Sequence, residues 1–189
     1  MPVTRPLPRA ERRRSIVAGA ARAFAAGGFE ATSMEDIAEA AGVTKLIVYR
    51  HFESKEELYR EILEQVSGRL AEEVAAGIGR NQRAVTVVAF MAVAREDPDG
   101  FRLLWQHSSR ESRFAGYADQ VQAASVAFAR DRLAKRVSDP VVLAWAAPMA
   151  VRFLVEAVLT WMDHGDPVAD DRFIEVTASS MEALFRAWS

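Results

Sequence analysis

Apolar residues recur along this chain at helical spacing, and nowhere do they alternate as they would in a strand. Ile16, Val17, Ala20, Ala21 and Phe24 repeat at i, i+4 and i+8, which predicts an amphipathic first helix. Pro2, Pro6 and Pro8 keep the preceding residues out of it. The helix is expected to stop at Gly27-Gly28, where the missing side chains permit a positive φ, and Phe29 follows as an apolar plug. Thr32-Ser33-Met34-Glu35-Asp36 then places a hydroxyl three residues ahead of a carboxylate, the pairing that satisfies free N–H groups at a helix start. A short second helix is predicted through Ala41, ended by Gly42, and a third from about Thr44 to Phe52. Ser54 to Glu57 repeats the capping signature and opens a fourth. Its stripe of Leu58, Ile62, Val66 and Leu70 continues to about Ile78, where Gly77, Gly79 and Asn81 break it.

Beyond this point the punctuation is Asp97-Pro98-Asp99-Gly100, Ser138-Asp139-Pro140 and Gly165-Asp166-Pro167, and the intervening segments are of helix length. The expected fold is all-α with about nine helices, and the chain has no internal repeat and no glycine-rich phosphate loop. A domain boundary is expected within the fourth helix, between a compact unit over 9–69 and a larger one over 80–189.

Composition narrows the possibilities. Half of the 189 residues are hydrophobic and a quarter charged, enough for a sizeable core. The absence of cysteine excludes disulfides, thiolate zinc sites and cysteine nucleophiles. No apolar run follows the N-terminal arginines as in a secretory signal, so a cytoplasmic location is expected. The longest apolar run, Val141 to Val151, is short for a bilayer and leads into Arg152 and Glu156, so no membrane span is expected. Net charge is −2, but residues 1–60 carry ten Lys/Arg against eight Asp/Glu. Within them, Met1 to Arg14 holds Arg5, Arg9, Arg12, Arg13 and Arg14 against Glu11 alone, which suits either an arm near a polyanion or a solvated basic tail.

The helix, glycine turn and short helix of residues 33–52 have a physical rationale, because two short helices packed steeply push one of them outward, where it can enter a major groove. If Val43, Val48 and Phe52 face the first helix, then Thr44, Lys45, Leu46, Tyr49, Arg50 and His51 lie on the exposed side. Lys45 can donate to guanine, Thr44 to a phosphate or base edge, and Leu46 can pack on a thymine methyl or against the neighbouring helix. Tyr49 and His51 suit phosphate oxygens, with Arg50 on the same face. Lys55 at the fourth helix, and Thr32 and Ser33 at the second, would form flanking anion sites.

The segment Gly28-Phe29-Glu30-Ala31-Thr32-Ser33-Met34-Glu35-Asp36-Ile37-Ala38, with Gly42-Val43-Thr44-Lys45, Tyr49-Arg50-His51-Phe52 and Ser54-Lys55-Glu56-Glu57-Leu58, resembles the DNA-binding signature of the TetR (tetracycline-repressor-like) family of transcriptional regulators. The resemblance covers roughly residues 10–65. It implies an N-terminal three-helix helix-turn-helix domain with a recognition helix at 44–52, and DNA contacts from the matching positions Thr44, Lys45, Tyr49, His51 and Lys55. Leu46 stands where the family often has a small residue. The resemblance further implies a C-terminal helical bundle that binds a small-molecule effector and dimerises through the last two helices, so that a homodimer meets palindromic double-stranded operator DNA. The function implied is a repressor released from its operator by a small, largely apolar effector.

For the effector pocket, Phe101, Trp105, Phe128, Trp145, Met149 and Phe153 are the candidates, although packed core is the commoner role for residues of these types. Pro148 inside a helical stretch is expected to kink it, free a carbonyl toward a pocket, or end the helix. The competing readings are an all-helical enzyme or a small-molecule-binding protein without operator specificity. An enzyme finds little support: His51, His107 and His164 are far apart in sequence, and no G-x-S-x-G occurs. No cofactor or metal is expected. A nonspecific DNA coat would need a far more basic chain.

Overall fold

A computed structural model describes residues 8–80, 82 and 84–189. Among these residues there is no strand, and nine α-helices follow one another: α1 Arg9–Gly27, α2 Met34–Ala40, α3 Lys45–Tyr49, α4 Lys55–Gly79, α5 Val85–Glu96, α6 Pro98–Arg102, α7 Ala115–Leu133, α8 Pro140–His164 and α9 Asp170–Ala187. A π-helical turn, Leu103–His107, and a 3-10 turn, Ser108–Arg110, join α6 to α7, and a second 3-10 turn precedes α9. The all-α expectation holds, with shifted boundaries. α1 begins at Arg9 and not at the first apolar position, because arginine is a good helix former and Pro8 can sit at the N-cap. Four of the five arginines read as an arm therefore lie on a helix, while Arg5, Pro2 and Pro6 fall outside the described residues.

The N-terminal helices are held by local chemistry and by one close approach. Ser33 and Asp36 complete a capping box at α2, with the Ser33 N–H donating to the Asp36 carboxylate at 2.8 Å and the Asp36 N–H to the Ser33 hydroxyl at 3.2 Å. Gly28 and Gly42, with φ of 77° and 64°, supply the left-handed residues after α1 and α2. α2 then lies against Gly19 of α1, where even a methyl group would meet the Ala41 backbone at 2.7 Å. The predicted α4 stripe is buried in full: Leu58, Ile62, Val66 and Leu70 all face inward. Phe24, Phe29, Tyr59 and Phe114 form an aromatic cluster, with Tyr59 stacked on Phe114 at 4.2 Å between centroids. Since Phe114 precedes α7, this cluster ties the helix-turn-helix to the C-terminal helices through one continuous core. Burial, with a smaller push from Glu111, raises the Tyr59 phenol far above its ordinary value and keeps it neutral.

In the C-terminal part α8 is central, burying Ala146, Ala147, Ala150, Val151, Leu154, Val155, Val158 and Leu159. Length and composition alone would let α8 cross a bilayer, but those features also describe a core helix packed against α5, α7 and α9. Pro148 does not end α8, which runs through it. The carbonyl it leaves without a helical donor belongs to Ala144, on the exposed side, so it does not serve the interior.

Candidate functional site

α3 stands at the surface with a sharply divided face. Val48 and Phe52 are buried against the domain, while Thr44, Lys45, Leu46, Tyr49 and Arg50 are exposed and His51 is half-buried. Leu46 is 63% exposed, which decides between its two readings: it is not tucked against a neighbouring helix and its side chain projects outward. Tyr49 is 48% exposed beside it, and the Lys45 ammonium lies 5.8 Å from the Tyr49 ring centroid. Lys45 also pairs with Glu35 of α2, which bridges the two helices across the outer face. That hydrogen bond holds the Glu35 carboxyl below its ordinary value and raises the Lys45 ammonium. The Thr44 hydroxyl makes no capping bond, and among the described residues Arg50 makes no ion pair.

A second basic element flanks this face. Arg13 of α1 donates to the His51 carbonyl at 3.0 Å, pairs with Glu61 at 3.0 Å, and lies 4.1 Å over the Phe52 ring. His51 titrates below the ordinary imidazole range, through burial first and then the nearby Arg9, Arg13 and Arg12. The start of α1 therefore adds its arginines to the end of α3. In the sequence these arginines form only an arm of undefined position, because the helix that carries them begins before any apolar periodicity.

Two of the flanking candidates turn inward. Thr32 is buried, its hydroxyl donating to the Gly28 carbonyl at 2.6 Å and to that of Ala23 at 3.3 Å, where it closes the end of α1. Lys55 donates to the carbonyls of Phe29, Glu30 and Thr32 at 2.8, 3.1 and 3.1 Å, with its ammonium 4.5 Å from the Phe29 ring centroid. All three N–H bonds of that ammonium are occupied, so in this structure Lys55 is a clamp on the α1–α2 turn and not an open anion site. Ser33 stays at the surface, its hydroxyl bonded to Asp36 at 2.7 Å. Sequence reading recognised these residue types at helix starts but could not tell which donors the turn itself would occupy.

Further along, a cavity of about 770 Å³ opens between α4, α5, α7, α8 and α9, within the size range of small-molecule sites. Of the six aromatic and methionine candidates only Phe128 lines it. Phe101 is wholly buried and forms a three-ring cluster with Phe90 and Trp105, and Phe153 is packed against the core. Trp145 and Met149 are 45% and 52% exposed on the outer face of α8. Large apolar groups fill a bundle, and a gap appears where small ones meet: Ala71, Ala75, Ala124 and Ala129 are among its walls. Periodicity could have found this signal only had the partner helices been known.

Known proteins agree with this architecture. Residues 16–62 match the family described as bacterial regulatory proteins, tetR family. The HTH-type transcriptional activator FasR of Mycolicibacterium smegmatis is 29% identical over 186 residues, covering 90% of this chain and 81% of FasR. The HTH-type transcriptional repressor KstR2 of Rhodococcus jostii is 41% identical over 71 residues, 35% of each chain. Among solved structures, AibR in complex with isovaleryl coenzyme A and operator DNA superposes with a TM-score of 0.69 over 90% of this chain and 97% of AibR, and at 18% identity this likeness shows the fold. The outward-facing α3 thus lies in a segment that matches the tetR-family model, and the chain is similar along most of its length to an HTH-type transcriptional activator.

Proposed function

We propose that the protein is a homodimeric repressor whose residues 9–69 grip a palindromic operator and whose residues 80–189 bind a small, largely apolar effector that releases it. The observation that carries the operator reading is the exposed α3 face, on which Thr44, Lys45, Leu46, Tyr49 and Arg50 project together beside His51. In this reading Lys45 exchanges Glu35 for a guanine edge, Leu46 packs on a thymine methyl, and Tyr49, His51 and the α1 arginines meet phosphates. Dimerisation uses α8 and α9: Val141, Trp145 and Met149 recur every fourth residue as an exposed apolar stripe on α8, and Val176 is exposed on α9. The two-fold so created presents two recognition helices to grooves about 34 Å apart.

The effector enters the cavity beside α4. Because α4 carries both cavity residues and the Leu58–Ile62 contact to the helix-turn-helix, a tilt of α4 changes the spacing of the two α3 copies. The protein works where its operator is, in the cytoplasm, and has no catalytic role. Selection of bound sequences from random DNA, followed by footprinting, tests the proposal: one short palindrome is expected. Lys45→Ala is expected to weaken that site by roughly tenfold to a hundredfold while leaving nonspecific binding nearly unchanged. An equal loss on every sequence would make Lys45 a phosphate contact. Failure to select any sequence would end the operator reading, and a reporter that rises with the regulator would make it an activator.

A further inference from the structure

The cavity has a direction. Its walls run along α4 from Ser67 to Ile78 and along α7 from Val121 to Arg132, a span of about 16 Å along each helix. It is therefore elongated. Polarity is distributed unevenly along it. At the end near the start of α7, the Ser67 hydroxyl is already bonded to Tyr117 at 2.7 Å, and the middle is bounded by apolar groups such as Phe90, Val151 and Leu154. Every charged lining residue sits toward the other end: Arg132, Lys135 and Arg136 from the last turn of α7 and its continuation, with Glu182 of α9.

Two of the three cations are paired within the protein, and one is not. Arg136 pairs with Glu182 at 2.6 Å, and Lys135 reaches Asp131 of its own helix at 3.6 Å. Among the described residues Arg132 has no carboxylate within ion-pair distance, and its guanidinium lies 5.1 Å from the centroid of the Phe128 ring, itself part of the wall. A planar cation is thus held by an aromatic face at the mouth of an apolar channel with its N–H donors uncommitted.

We infer, on the reading that this cavity is the effector site, that the effector is an anionic single-chain amphiphile whose acyl chain lies between α4 and α7 and whose anionic head meets Arg132 at the mouth. A linear chain suits a channel of this length, and no charged group lies deep enough to require a polar far end. The head can be the carboxylate of a fatty acid or the phosphates of its coenzyme A thioester, since both present oxygen anions that a guanidinium binds through paired hydrogen bonds. A cationic head would meet the unpaired Arg132 guanidinium and gain no ion pair there.

Calorimetry on the full chain with dodecanoate, dodecanoyl-coenzyme A, dodecanol and dodecyltrimethylammonium, each below its micelle threshold, tests this. At least one of the two anions is expected to bind about tenfold or more tighter than dodecanol, as a charge-assisted hydrogen bond gives, with no binding of the ammonium. The tighter anion identifies the head. Arg132→Glu and Arg132→Gln are expected to remove that preference and leave dodecanol affinity unchanged, while Ala124→Trp, which fills the channel, abolishes binding of all. Affinity is also expected to climb by about fourfold per added methylene from octanoate upward. Dodecanol binding as tightly as both anions, a preference that survives Arg132→Glu, or no binding at all overturns the inference. Operator release by some neutral compound would leave the regulatory reading standing while this one falls, and anion binding without operator release would do the reverse.

Discussion

Gly19→Ala sets two physical effects against each other. In the interior of a helix, alanine is favoured over glycine by about 1 kcal/mol, so propensity alone predicts a more stable protein. At Gly19, however, the new Cβ would lie 2.7 Å from the backbone N and Cα of Ala41 and from its Cβ. Carbon atoms in contact prefer about 3.5–4.0 Å, so α1 and the end of α2 must part by about 1 Å, and the atoms in the way are backbone and cannot rotate aside. Overpacking of this kind costs about 1–3 kcal/mol, which outweighs the propensity gain. The expected net effect is a loss of up to about 2 kcal/mol in urea unfolding. Operator affinity should fall further than stability does, because the displaced α2 carries α3 with it. Gly68→Ala is the control: it lies in the interior of α4 with nothing within 4 Å of the added methyl, and a gain of about 1 kcal/mol is expected there. If Gly19→Ala also stabilised the protein, the close approach would not constrain the fold and the reasoning would fail.

Three further outcomes follow from the same geometry. Lys55→Met strips three carbonyls of their shared donor and is expected to destabilise the fold by about 2–3 kcal/mol, with operator binding recovering at low temperature where the variant is folded. A persistent loss of affinity in folded Lys55→Met would return Lys55 to the DNA interface. His51 is held neutral by burial and by Arg9, Arg13 and Arg12, so a phosphate placed beside it would raise its pKa and binding would take up a proton. Operator affinity is therefore expected to rise as pH falls through the imidazole range, and a His51→Gln variant with the same pH profile would remove His51 from the interface. The stability contribution of this depressed imidazole has the opposite sense, being present above its unfolded value and declining as pH falls below it. Trp145→Glu places a charge in the exposed α8 stripe and is expected to yield a helical monomer by sedimentation; an unchanged oligomer would move the dimer contact elsewhere.

The helix-turn-helix was legible because its signals are local. Capping pairs, left-handed glycines and a four-residue stripe act within a few residues of chain, so Ser33 with Asp36, Gly42 and the run from Leu58 to Leu70 identify α2, the turn and α4 without reference to the rest of the molecule. The exposed side of α3 followed from the same periodicity once Val48 and Phe52 were assigned to the interior.

Tertiary structure decided whatever depends on a partner distant in sequence. Lys55 and Thr32 resemble DNA contacts by type and position, but the carbonyls that occupy them belong to a turn more than twenty residues before Lys55 and to α1. Leu46 could be assigned outward only when no neighbour was found to cover it. The cavity is the clearest case. Alanines from α4 and α7 are among its walls, and of the sequence candidates only Phe128 reaches it while Trp105 and Phe101 pack elsewhere, because a void forms where facing helices both present little volume. Amphipathic patterns state which face of each helix avoids water. They are silent on which two faces meet and leave a gap, since that is a property of the pair.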